Sequence, residues 1–145
     1  MKDEELLKRG WIKTRLWFEV LATSKETTEK SLRAHIEKIE RLEGVIVREK
    51  RFEEVEEVKK IPKRFEKLGI RKAYSQVVET IVFTDSLEKL LLIVMAFGPS
   101  AIEILEPKEM KVSIGTLQNM MNSVAEMMHR FASSQLGGII IKGKG

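Results

Sequence analysis

Twice along this chain the spacing of apolar residues changes from every second residue to every third or fourth and back again. A chain patterned in this way is restricted to strand-helix-strand units, because a period of two buries one face of a sheet and a period of about 3.6 buries one stripe of a helix. In the first unit Ile12, Leu16, Phe18, Val20 and Ala22 share one face of a strand over Trp11–Ala22, with Trp17 and Leu21 on the other. Thr23 and Glu26 then read as a capping box. Thr28, Leu32, Ile36, Ile39 and Leu42 form a helical stripe that Gly44 closes in a left-handed conformation. Val45 to Arg51 resumes strand character, and a crossover of this length predicts parallel pairing beside the first strand.

The second unit repeats the pattern. Over Ala73–Thr84, Val77, Ile81 and Phe83 face one way and Tyr74, Val78 and Val82 the other. Asp85 and Glu88 read as the cap of a helix over Ser86–Phe97, which Gly98-Pro99 stops. This helix is apolar on nearly every side, from Leu87 through Leu90, Leu91, Leu92, Ile93, Val94 and Met95 to Phe97. Ala101 to Leu105 follows as a short strand, and Met110, Val112 and Ile114 alternate as a further edge strand or an extended connector. The longest helix is predicted from Thr116 to about Leu136, closed by Gly137-Gly138.

The expected fold is α+β, a ferredoxin-like βαββαβ arrangement with a four-stranded antiparallel sheet, helices on one face and an extra long C-terminal helix. At 145 residues with 43% hydrophobic content, one core and one domain are expected. Within it, residues 11–58 form a first half, 59–72 a basic connector, 73–106 a second half, 116–136 the last helix and 137–145 a flexible tail. Ile139, Ile140 and Ile141 in that tail are β-prone and flanked by glycines. The segment 52–72 is ambiguous: Phe52, Val55 and Val58 recur every third residue, which suits an edge strand or a helix equally. Pro62 to Leu68 reads as one short helix stopped by Gly69.

The absence of cysteine removes disulfides, thiolate zinc sites, iron-sulfur clusters and thiol nucleophiles together. Met1 to Gly10 places Lys, Asp and Glu ahead of any apolar run, the wrong order for a secretory leader. Leu90 to Phe97 is too short to cross a bilayer. A cytoplasmic protein with no membrane partner is expected.

Catalytic and metal chemistry finds no support. His35 and His129 fall on different helices; His35 has no carboxylate or second histidine one turn away, and Ser133 near His129 lacks an orienting acid. Glu53, Glu54, Glu56 and Glu57 lack the Asp and tight glycine turn of a calcium loop and read as a charged sheet edge. No glycine-rich phosphate loop is present. Hence no catalytic residue, metal or cofactor is assigned.

Two segments invite partners. Lys59, Lys60, Lys63, Arg64, Lys67, Arg71 and Lys72 face Glu66 alone, a local excess of positive charge above the whole chain's +4. With Phe65 and Tyr74 nearby, this run suits contact with RNA or another polyanion, although the paired aromatic platform of an RNA-binding sheet is missing. Leu117, Met121, Val124, Met128 and Phe131 make a four-three stripe on the last helix, widened by Met120 and Met127. Two helices fill one face of a four-stranded sheet, so a third meets something else. Adaptable methionines suit a second copy, most simply in a dimer, or another protein. A non-enzymatic oligomerising module is therefore expected, with nucleic-acid binding as the alternative. A small-ligand regulatory domain of ACT type shares the element order without supplying a ligand motif.

The acids are glutamate except at Asp3 and Asp85, and lysine and glutamate alternate along the surfaces. That composition predicts a thermophilic source, because desolvating ion pairs costs less at high temperature. A thermal melt followed by circular dichroism is expected to show a midpoint above about 65 °C; one near about 50 °C is ordinary mesophilic behaviour and removes the inference.

Overall fold

In the computed structural model, which describes residues 1–135, the elements follow in the order α1 (Asp3–Lys8), β1 (Ile12–Ala22), α2 (Lys25–Glu40), β2 (Val45–Phe52), β3 (Glu56–Glu57), α3 (Lys63–Lys67), β4 (Tyr74–Thr84), α4 (Leu87–Phe97), β5 (Ala101–Glu106) and α5 (Ile114–Gln135). The chain divides into two units, Met1–Glu109 and Met110–Gly145. The first is an α+β unit with an antiparallel sheet, and the second holds the C-terminal helix α5. The predicted tail at 137–145 lies outside the described residues.

The sheet has five strands where four were expected. Its order is β2-β4-β1-β5, and the two-residue β3 also pairs with β4. Every pairing is antiparallel. This corrects the expectation that β1 and β2 pair in parallel: β4 lies between them, bonded to β1 along its whole length and to β2 over Val78–Thr84. Helix α2 still carries the chain from β1 to β2, but over one intervening strand. The ambiguous segment resolves as an edge. Beyond Phe52 the chain stays alongside β4, with Glu53 N–H donating to the Val77 carbonyl and Val58 N–H to that of Ala73.

The main core fills the face beneath α2 and α4. Leu16 and Phe18 of β1, Val45 of β2, Val78 and Val82 of β4, Leu32, Ile36 and Ile39 of α2, and Ile93 of α4 pack as one cluster. Three threonines share this buried sheet. Thr14 and Thr80 donate across the β1–β4 pair, each to the carbonyl of the residue opposite it, Val82 and Leu16, at 2.9 Å. These two hydroxyls are thus satisfied within the sheet, whereas the buried Thr84 hydroxyl has no hydrogen-bond partner among the described residues. His35, on α2 next to the apolar stripe, is half-buried. Its Nε2 donates to the Phe97 carbonyl at 2.8 Å, at the end of α4, and its ring meets Phe18 and Phe97 edge-on.

The helix caps fall one residue beyond the predicted boxes. Ser24, not Thr23, accepts from Thr27 N–H, and Ser86, not Asp85, accepts from Lys89 N–H, each at 3.1 Å. Gly98 ends α4 as expected, capping it in the left-handed region. Gly44 is also left-handed, at φ +78°, but sits beyond the end of α2. Its carbonyl accepts from Asp85 N–H, and a Cβ there would come within 2.2 Å of the Asp85 carboxylate.

The other face of the sheet holds a helix that the apolar pattern did not announce. Leu6 of α1 is buried against Ile81 and Phe83 of β4, with Leu7, Trp11, Ile46 and Leu105 around them. Helices therefore occupy both faces rather than one. Asp3, Glu4 and Glu5 in the first turn of α1 and Lys8 in the last complement its dipole. Asp3 also binds Arg48 at 2.9 Å and Lys13 at 3.8 Å, and both cations lie over the Phe83 ring.

Both outer strands carry a one-residue register shift beside this helix. Between Val47 and Glu49 the pairing with β4 skips Arg48, and between Ile104 and Glu106 the pairing with β1 skips Leu105. Each extra residue serves the α1 side, Arg48 through Asp3 and Leu105 through the apolar cluster. The shift in β2 also brings Phe52 into phase with Val45, so that both pack on the main core. Past α1, the same face carries a charged row across all four long strands, Arg51–Glu79–Arg15–Glu103.

Truncating Leu6 to Ala is expected to lower the unfolding free energy in urea by about 2–4 kcal/mol; a loss under about 1 kcal/mol would show α1 to be dispensable. Gly44→Ala is expected to cost about 1–3 kcal/mol in the same measurement, from its left-handed backbone and the crowding at Asp85.

Candidate functional site

Helix α5 begins two residues earlier than the pattern predicts. Ser113 Oγ accepts from Thr116 N–H at 3.1 Å, which places the cap before Ile114. The earlier start extends the apolar stripe by one residue, so that Ile114, Leu117, Met121, Val124, Met128 and Phe131 recur at alternating intervals of three and four along the helix. Ile114 is 76% exposed, Leu117 42%, Met121 56%, Met128 57% and Phe131 56%. Val124 and Met120 are half-buried, and Met127 is exposed. All seven stripe residues named from the sequence therefore lie on one element, and five of them are exposed. A 22-residue helix is about 33 Å long, enough for three heptads.

The charges of α5 lie off this stripe. Glu126 and Arg130 pair with each other one turn apart. The positions flanking the stripe are Gln118, Met120, Ala125, Met127, Ala132 and Ser134, none of them charged.

The basic segment lies in the first unit. Lys59 and Lys60 form a bend after β3, Lys63, Arg64 and Lys67 lie on α3, and Arg71 and Lys72 precede β4. All seven side chains are exposed, and none makes an ion pair among the described residues. The aromatic residues are less available: Phe65 is half-buried with the Arg64 guanidinium 5.4 Å from its ring, and Tyr74 is half-buried in β4. The second face of β4 is likewise not free along its length, since Ile81 and Phe83 are buried beneath α1.

The other exposed large apolar residues of the first unit are Met1, Leu68 just after α3, Leu92 of α4, and Ile102 and Ile104 at the β5 edge. Ile102 and Ile104 are 43% and 52% exposed and Leu92 is 44% exposed. Ile102 and Ile104 oppose Leu16 and Thr14, so they point to the side of the sheet that α2 and α4 cover. Sequence spacing alone gave no sign that these isoleucines stay open, because their exposure follows from β5 being an outer strand.

Among the described residues, no three His, Cys, Asp or Glu side chains gather as metal ligands, and no helix is long and apolar enough to cross a membrane. The four glutamates split between the break after β2 and the two-residue β3 at the sheet edge. No curated protein and no solved structure matches the chain. Residues 13–143 match the family model designated MJ0538, a span from the first sheet strand through α5 and beyond, and the chain belongs to the MJ0538 family.

Proposed function

We propose that this protein is a non-enzymatic self-association module in which α5 of one copy packs against α5 of another. The observation that carries the reading is the heptad stripe from Ile114 to Phe131, exposed along most of its length. Monomeric proteins rarely leave so continuous an apolar surface in water. A second copy is the partner that this surface fits best, because the uncharged flanks set no like charges against each other when two identical stripes meet. Methionine at two of the stripe and flank positions on each side of Val124, Met120 and Met121 before it and Met127 and Met128 after it, lets the contact adapt. In this reading the first unit is a ferredoxin-like platform: with the short β3 set aside, its strand-helix-strand halves interleave so that β4 and β1 are central and β2 and β5 outermost.

A second reading rests on a different observation, the seven exposed and unpaired cations between Lys59 and Lys72. Such a cluster suits the phosphate backbone of RNA, in a contact that weakens steeply with salt.

Light scattering of the full chain is expected to give a dimer, and Met121→Glu with Met128→Glu to give a monomer of unchanged helix content. A monomeric wild type rejects the first reading. For the second, single-stranded RNA is expected to bind at low salt and to lose about 10-fold or more in affinity when Lys63, Arg64 and Lys67 become Gln; unchanged binding rejects it.

A further inference from the structure

Between α2 and the break that separates β2 from β3 lies an open cavity of about 420 Å³, within the size range of small-molecule sites. Lys25, Glu29 and Arg33 line it from α2, Phe52, Glu53, Glu54 and Val55 from the strand break, and Gln76 from β4. The one-residue shift at Arg48 creates its inner wall by turning Phe52 toward α2, where the Arg33 guanidinium lies 4.4 Å from the ring centre.

The polar groups of this cavity are under-used. Lys25, Glu29, Arg33, Glu53 and Glu54 form no ion pair among the described residues. Gln76 is only 5% exposed; its Nε2 donates to the Glu53 carbonyl at 2.9 Å, which leaves Oε1 buried without a hydrogen-bond partner. A buried acceptor in that state is costly, and it leaves this corner of the sheet under-satisfied. The adjoining cavity of about 280 Å³ offers a contrast. It shares Arg33 and Phe52, but its remaining cation is already engaged, Lys50 with Glu40 at 3.0 Å.

We propose that the larger cavity binds a small zwitterion, a molecule carrying an ammonium and a carboxylate a few bonds apart. The carboxylate is held by Arg33 and Lys25. The ammonium is held by the glutamates, while Phe52 and Val55 take the apolar remainder. A simple anion meets three carboxylates here and a simple cation meets two basic groups; only a ligand with both charges matches both sets. This binding is independent of self-association through α5.

The test is a thermal-shift and calorimetric screen of the full chain against the free amino acids, run beside their N-acetylated and carboxamide forms. At least one free amino acid is expected to raise the melting temperature with increasing concentration, and both blocked forms of it to fail. Arg33→Met and, separately, Lys25→Met are expected to weaken its binding by about tenfold or more, the scale of one charge-assisted hydrogen bond. Lys50→Met, in the adjoining cavity, is expected to leave binding unchanged, and the melting temperature of each ligand-free variant reports that it folds. Failure of every free amino acid to bind, equal binding of a blocked form, or full affinity in both Arg33→Met and Lys25→Met overturns the proposal.

Discussion

The antiparallel bonding of β4 to β1 on one side and to β2 and β3 on the other holds the first unit together. Val78, Thr80, Val82 and Thr84 are buried toward α2 and α4, and Ile81 and Phe83 are buried toward α1. Removed from this position, β4 would leave β1 and β2 unpaired along facing edges and both apolar clusters without their centre. The threonines suit such a place. A valine-sized side chain packs as the core requires, and at Thr14 and Thr80 the hydroxyl finds a carbonyl on the neighbouring strand. Pairings so distant in sequence make the sheet a late and cooperative product of folding.

The two faces of the sheet are finished by different physics. Toward α2 and α4 the covering is apolar, open at the Gln76 corner and along β5, where Ile102 and Ile104 stay exposed. On the other side, six residues of helix cover only the end where Phe83 lies, and the remainder is closed by alternating charge from Arg51 to Glu103. Arg15 is held at 3.2 Å from Glu79 and 2.7 Å from Glu103. Individually such partly exposed pairs contribute little, on the order of 0–1 kcal/mol. As a row they fix side chains that would otherwise crowd a half-open surface, and they make that surface a poor seat for an apolar partner.

Much of this architecture was legible in the residues. The strands, α2, α4 and the long last helix lie within a few residues of their predicted limits, because each carries enough turns or alternations to show its period. Where the reading failed, the reasons are local or long-range. At the caps, two adjacent polar residues compete, and the spatial fit of Ser24 and Ser86 to the third residue of each helix decides between them. Helix α1 is too short to display a period; only Leu6 and Leu7 mark it. The pairing partner of β2 depends on where β4 goes, which no local pattern states. The α5 stripe was visible because one helix carries all of it. The Gln76 cavity was not, since its walls come from Lys25–Arg33, Phe52–Val55 and a single glutamine more than twenty residues away.

The register shift at Arg48 gives strand β2 two reading frames. Val45 and Phe52 are seven residues apart, so strict alternation assigns them to opposite faces, yet both contact the same core. The extra residue works as a phase correction: everything before it is written in one parity and everything after it in the other. Position 48 thereby acquires a constraint unlike that on its neighbours. Its side chain is open to exchange at the level of surface contacts, but its place outside the pairing is not, because drawing it into regular register opposite Ile81 would send Lys50 and Phe52 to the α1 face and Arg51 into the core. In this strand the choice of which residue goes unpaired carries structural information that the apolar pattern does not.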